Sequence, residues 1–426
     1  MRMSLNLCAL ALLAGCGSKD SPTWYRDIQP VIDANCARCH NGTGIGPGDF
    51  RTYEAAAANS LAMSIFVESG QMPPPTADPT CADYKDSELM NLTDAQRALF
   101  TEWYEAGTPL GKVDDAPDKI VGSPPFTADE IDFVFELPRD YTPSPDAAGN
   151  DYHCFVLDNP SEQDMLITGY EVAPGNLAVV HHAILFADPL QRADALFGNT
   201  GASDFSCDDP VMDLEWQYLV GWAPGGPPTR FDNNVALRIE AGQSVVLQMH
   251  YYVDPANPPA DQVDRTQLRF RVRDETEDFP RVMSVFPIGP LDFTIPANEV
   301  YTLHDTLVND FEEQAGFEVR GQVHTINPHM HGLGVSYKAW IERVDGSPDV
   351  CVMQSERWSF NNQPSYQLRE PITVEPGDTL HMECTWDNTA SNPNQLFDPP
   401  QDVHWGGGSG DEMCFFLSAF TYEPAL

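Results

Sequence analysis

From Thr266 to Arg273 the chain alternates without a break, with Leu268, Phe270 and Val272 on one side and Arg269, Arg271 and Arg273 on the other. A period of two places successive side chains on opposite faces, which suits a strand buried on one face and excludes a helix of period 3.6. Ser244 to Tyr252 and Phe317 to Thr325 alternate similarly, and prolines and glycines separate such runs. This pattern predicts antiparallel all-β structure from residue 131 to the end. That region is roughly 300 residues long, against about 100 for one sandwich. Two sandwiches are therefore expected, 131–285 and 286–426, divided near Pro280 to Pro290.

Before residue 131 the pattern changes. Trp24, Ile28, Val31 and Ile32 fall at helical spacing, with Pro30 tolerable near a helix start. Thr93 and Gln96 read as a capping box, Leu99, Phe100 and Trp103 as an apolar face, and Gly107 with Pro109 as a stop. A small all-α domain is expected over 23–110, followed by an Asp-, Pro- and Gly-rich linker over 111–130.

This segment contains Cys36-Ala-Arg-Cys39-His40, the C-x-x-C-H pattern of covalent haem c attachment. Two thiols add to the haem vinyl groups, and the next residue's imidazole lies beneath the iron. A bare C-x-x-C also suits a redox disulfide or half a zinc site; the following His40 and the export signal favour haem. Further on, Met72-Pro-Pro-Pro75 resembles small bacterial cytochrome c domains, in which such a Met is the second axial ligand. Met/His ligation suits electron transfer. The plainer reading of Met72 is a methionine filling a core gap.

The first sixteen residues read as a targeting signal. Arg2 supplies positive charge, and Leu5 to Leu13 are too few to span a bilayer. Leu13-Ala14-Gly15-Cys16 resembles a bacterial lipobox, which implies acylation of Cys16 and a tether over 17–22. An ordinary secretory signal is the simpler alternative. Either way the chain is expected to be exported to the periplasm or cell surface, lipid-anchored to a membrane (the outer one by preference), where disulfides persist. With 23 basic against 64 acidic residues, the formal charge of −41 repels phosphate backbones and argues against nucleic acid. A redox partner protein is compatible with that surface.

The β region carries His181-His182, then His250 in Leu-Gln-Met-His-Tyr-Tyr, then His329 and His331 in Pro-His-Met-His-Gly. Met413 follows in Gly-Asp-Glu-Met-Cys-Phe-Phe. Three imidazoles, then two imidazoles and a thioether, make two sets of ligands, and thioether sulfur selects copper over zinc, magnesium or calcium. His329 and His331, two apart, share one face of a strand. Adjacent His181 and His182 would point to opposite faces, so one metal between them requires a bulge or twist.

On these motifs, residues 130–426 resemble the type II, ascorbate-dependent copper monooxygenases, the family of peptidylglycine α-hydroxylating and dopamine β-monooxygenases. The resemblance implies an electron-transferring copper on His181, His182 and His250, and a catalytic copper that activates O2 on His329, His331 and Met413. It implies two sandwiches facing across a cleft, with disulfides Cys154–Cys207 and Cys384–Cys414, the second fixing Met413. Cys81 and Cys351 either pair or remain free thiols. Gln248 is a candidate substrate or water contact and His404 a candidate support for a ligand, while His153, His304, His324 and His381 read as structural. The expected activity is C–H hydroxylation of an unknown small molecule or peptide. Its electrons would come from ascorbate, a redox protein or the fused haem c. The alternative from another class is a non-enzymatic surface lipoprotein that binds copper or relays electrons.

Overall fold

The computed structural model describes residues 21–42, 46–118, 123–147, 149–193, 204–207, 216–232, 234–273, 281–360, 362–408 and 410–424. Cys16 and the targeting signal lie outside the described residues.

Near the N-terminus, helical backbone runs on from Trp24 to Cys36 and packs with the helices Tyr53–Ala58, Ser60–Glu68 and Asp94–Glu105. The spacing read from sequence is the buried face: Trp24, Ile28, Val31 and Ile32 meet Val67, Phe100 and Trp103 in one cluster. The last helix starts at a reciprocal cap, in which Gln96 N–H donates to Thr93 Oγ1 (3.2 Å) and Thr93 N–H to Gln96 Oε1 (2.9 Å).

The remainder is mostly β-structure, with a short helix at Glu312–Ala315. Asp204–Ser206, Asn150–Leu157, Val245–Tyr252, Val180–Ala187 and Gln217–Trp222 form a five-stranded antiparallel sheet in that order. Against it lies a sheet built on Phe133–Glu136, Gln267–Arg273, Met165–Ala173 and Val235–Ile239. Leu268 and Phe270 point into the core between them, while Arg269 reaches Glu171 at 3.1 Å on the other face. The alternation is thus one strand with a dry side and a wet side.

The second pair of sheets comprises Ser284–Ile288, Phe415–Pro424, Val319–His329 and Tyr366–Val374 in one layer, and Val300–Val308, Thr379–Asp387, Gly334–Glu342 and Val350–Ser355 in the other. Met330, Tyr337, Val352, Met382 and Trp386 fill its core. Val285 and Ala419 of the first layer reach instead into the core of the preceding sandwich, so the two cores meet.

Among the described residues three disulfides are present: Cys154–Cys207, Cys384–Cys414 and Cys81–Cys351. The last settles the pairing that the sequence left open, and it ties the helical segment to the second sandwich. Around it, Tyr84 Oη donates to the Val352 carbonyl (2.8 Å), Ala77 N–H to Tyr366 Oη (2.9 Å) and Lys85 N–H to the Gln367 carbonyl (2.8 Å). Trypsin cleavage at exposed Lys112 should therefore leave two fragments that migrate together on a denaturing gel without reductant and separate with it. Separation without reductant would show that the Cys81–Cys351 bond is not formed.

Candidate metal centre

Three strands of the five-stranded sheet bring the first histidines together. His250 lies opposite Tyr152 on one neighbour and opposite His182 on the other. His181 cannot reach the same side by alternation. The register slips between Val180, opposite Tyr251, and His182, opposite His250, so His181 is the extra residue of a β-bulge. The bulge brings its ring within 4.6 Å of His250, centre to centre. His182 Nδ1 is then 3.5 Å from His181 Nδ1 and 3.3 Å from His250 Nδ1, and a ligand atom from each of the three lies within 4.8 Å of the others.

His250 Nε2 is 3.0 Å from Asn150 Oδ1. A carboxamide oxygen only accepts, so the ring proton resides on Nε2 and Nδ1 faces the cluster as a bare lone pair. Burial pushes His182 and His250 well below the ordinary histidine range, with neighbouring imidazoles adding to it, and pushes His181 down to about 4. All three rings are neutral at physiological pH, the state a metal requires.

On the second sandwich, His329 ends the strand Val319–His329, and His331 stands just beyond it in a turn rather than on the strand. Met330 between them turns into the core, and the two imidazoles lie 5.2 Å apart at 85°. Here the tied nitrogen is Nδ1. His329 Nδ1 donates to Gln363 Oε1 (2.8 Å), whose Nε2 donates to the Phe360 carbonyl (2.9 Å), and His331 Nδ1 donates to the Asp411 carbonyl (2.9 Å). In each neutral ring the lone pair is then on Nε2. Burial lowers both rings, His329 to about 3.

Met413 is 8% exposed, beside the Cys384–Cys414 bridge. Its neighbour Glu412 is buried, and its carboxylate accepts from His331 N–H (2.7 Å), Leu333 N–H (2.7 Å) and Trp386 Nε1 (2.8 Å). Burial raises Glu412 to about 7 even though those donors pull it down. One side chain thus ties the His331 turn to the Met413 loop.

The two ligand sets face one cavity of about 610 Å³, with His181 and His182 on one side and His329, His331 and Met413 on the other. Both sets suit copper in donor type and protonation. His329 is near enough to contribute to the lowering of His182. Gln248 also lines the cavity, but its Nε2 donates to the Cys207 carbonyl (3.3 Å). The His404 imidazole is exposed, its Nδ1 2.9 Å from Thr294 Oγ1, while the His404 carbonyl accepts from Glu412 N–H (3.0 Å), next to Met413. The side chains that hold the ligands are Asn150 and Gln363, which the sequence reading did not single out. His153 bonds Asp204, His324 bonds Thr421, and His304 and His381 bond each other.

In the helical segment Cys36 and Cys39 are free thiols, and burial pushes Cys36 up to about 12 and Cys39 in the same direction. Redox C-x-x-C pairs depend on the opposite shift. His40 Nδ1 donates to the Pro47 carbonyl (2.7 Å), and its ring stacks on Phe50 at 4.6 Å, leaving Nε2 bare. Met72 is 37% exposed, while Leu61 and Ile65, one turn apart on the helix Ser60–Glu68, are half exposed. Free thiols, a tied imidazole and uncovered apolar side chains fit a covalent haem in chemical type.

Residues 283–424 match the copper type II ascorbate-dependent monooxygenase C-terminal domain. Over 256 residues the chain is 25% identical to DBH-like monooxygenase protein 2 of Mus musculus, covering 59% of this chain and 39% of that protein. It is 23% identical to dopamine beta-hydroxylase of Canis lupus familiaris (59% and 39% covered) and 23% identical to tyramine beta-hydroxylase of Caenorhabditis briggsae (60% and 41%). The chain spans less than half the length of these curated relatives. Among solved structures, one of infectious bursal disease virus covers 68% of this chain and 71% of its own at 11% identity, but its TM-score of 0.16 carries no argument.

Replacing Asn150 by leucine removes the acceptor that orients His250. Copper affinity of the histidine-only site should fall about 10- to 100-fold, with the His329/His331/Met413 site unchanged, in competition titrations against a chelator. Equal weakening of both sites would mean a general loss of structure. In copper-free protein, His181, His324 and His329 have folded values of about 4, 4 and 3, below the unfolded value of 6.5. Their contribution to stability is complete above pH 6.5 and is lost as pH falls toward 4. The copper-free melting temperature should decline steadily across that window, and His324→Gln should flatten part of the decline; a flat profile in the parent protein would contradict the shifts.

Proposed function

We propose that this protein is a two-copper monooxygenase that hydroxylates a C–H bond of a substrate held in the cavity between the sandwiches. The observation that carries this reading is the pair of ligand sets, each with inward lone pairs, facing one another across a single cavity. Bound copper would supply one-electron redox chemistry at both sites and O2 activation at the one carrying the thioether. The overall change, R–H + O2 + 2 e⁻ + 2 H⁺ → R–OH + H2O, requires two electrons from outside the substrate. His181, His182 and His250 stay neutral, the first two half-buried and the third buried, Gln363 and the Asp411 carbonyl hold His329 and His331, and the Cys384–Cys414 bridge with Glu412 holds Met413.

A haem c on Cys36 and Cys39, with His40 and Met72 as axial ligands, would supply those electrons singly in place of ascorbate or an external redox protein. Two contacts favour this source. Arg38, between the two cysteines, packs against Gly225, where a methyl group would lie 3.0 Å from the Arg38 Cδ. Gly225 follows the strand Gln217–Trp222, and Trp222 is part of the cavity wall. Close to Met72, the Pro75 carbonyl accepts from Asn362 Nδ2 (2.8 Å), next to Gln363 that holds His329. Export and a lipid anchor at Cys16 complete the reading, in keeping with three disulfides.

Protein matured in a periplasm should contain two coppers per haem iron, and its intact mass should show haem at Cys36 and Cys39 and acylation at Cys16. Met413→Ala should retain one tight copper and lose O2-dependent hydroxylation. Oxidation of the ferrous haem by O2 should be faster with copper bound than without it, and His250→Ala should abolish the difference. A single copper indifferent to Met413→Ala would favour the electron-relay alternative. Haem oxidation indifferent to copper would remove the haem from the pathway and leave the monooxygenase reading standing.

A further inference from the structure

The walls of the cavity carry information about its occupant. One side presents Ile184, Phe186 and Tyr218, and the other Phe286, Phe360 and Phe415. Among the described residues that line it, none is Asp, Glu, Lys or Arg. Of the four lining amides three are already committed, and the fourth, Gln217, is uncharged and exposed to solvent. Gln248 donates to the Cys207 carbonyl, Gln363 bonds both His329 and the Phe360 carbonyl, and Asn327 Oδ1 accepts from Ser365 Oγ at 3.1 Å. A charged group brought here would leave water without finding an ion partner, which disfavours binding strongly. The field outside does not compensate. A chain with a formal charge of −41 repels anions as they approach, and although it draws cations to the mouth, the described walls offer them no carboxylate.

On the monooxygenase reading above, we propose that the substrate class is an uncharged, largely hydrocarbon molecule with an aromatic or alicyclic body. Neither an amine nor a carboxylate is its recognition handle. A volume of about 610 Å³ lies in the range of small-molecule sites and admits a body of fused-ring size. Orientation comes from shape, with flat aromatic walls on both sides, rather than from an ion pair. Hydroxylation of such a molecule adds one oxygen to a C–H bond, with the O2, electrons and protons balanced as written above. The product is more polar than the substrate and suits these walls less well, which favours its release.

The test uses copper-free protein, so that binding is read without catalysis and without a probe ligating metal. Three probes of one shape are titrated by calorimetry at pH 7: naphthalene-2-methanol (neutral), naphthalene-2-methylamine (cationic) and 2-naphthoate (anionic). The neutral probe should bind at least about 100-fold more tightly than either ion. Ile184→Glu should then narrow the gap to the amine by at least about tenfold, and Leu417→Lys the gap to the carboxylate; either substitution suffices if the other impairs folding. Equal or tighter binding of an ion to the parent protein, or no binding of the neutral probe, would overturn the assignment. A neutral preference untouched by both substitutions would also overturn it, because the probe would then bind elsewhere. Copper content is measured separately, so a protein that selects the neutral probe but fails the two-copper test refutes the monooxygenase reading and leaves this one intact.

Discussion

The hydrogen bond from His250 to Asn150 determines which nitrogen of that ring faces inward, and the same constraint recurs throughout both sites. A neutral imidazole carries one proton and one lone pair. Holding the proton with a carboxamide, as Asn150 and Gln363 do, or with a backbone carbonyl, as Asp411 does, leaves the lone pair on the other nitrogen, which for His250 faces the neighbouring His182. The two sandwiches apply this differently: His250 turns Nδ1 inward, whereas His329 and His331 turn Nε2 inward. Burial keeps the rings neutral, so neither half of the constraint works without the other.

That geometry is expensive to maintain locally and depends on support from farther away. The bulge at His181 interrupts the pairing of Val180–Ala187 with Val245–Tyr252, which is regular again from His182 to Ala187. Glu412 is a desolvated carboxylate, tolerable because three N–H donors surround it, two from the turn at His331 and Leu333 and one from Trp386 near the end of the strand Thr379–Asp387, while Glu412 itself adjoins Met413. Removing one donor would therefore disturb a carboxylate first and a metal ligand second.

Much of this was legible in the sequence. Leu268, Phe270 and the arginines between them specify a half-buried strand, and the ligands fall into recognisable pairs because a period of two or a bulge must bring them to one face. The supporting groups were not legible, since Asn150 and Gln363 are 100 and 34 residues from the histidines they hold, and only strand pairing and loop packing reveal them. His404 was legible only in part. Nearness along the chain to Met413 suggested a role there, and its carbonyl does accept from Glu412 N–H, but its imidazole pairs with Thr294 in a separate two-stranded ribbon. His331 shows a smaller departure, because the strand ends at His329 and a turn, not the pleat, aims the second ring.

The Cys81–Cys351 bond, with the contacts clustered around it, gives the helical segment one resting position on the second sandwich. A carrier that must diffuse and dock delivers at a rate set by its concentration, by ionic strength and by solvent viscosity. A segment fastened in this way is indifferent to all three. Whatever passes between it and the sandwiches does so within a single molecule, and dilution of the protein, however extreme, would leave that rate unchanged.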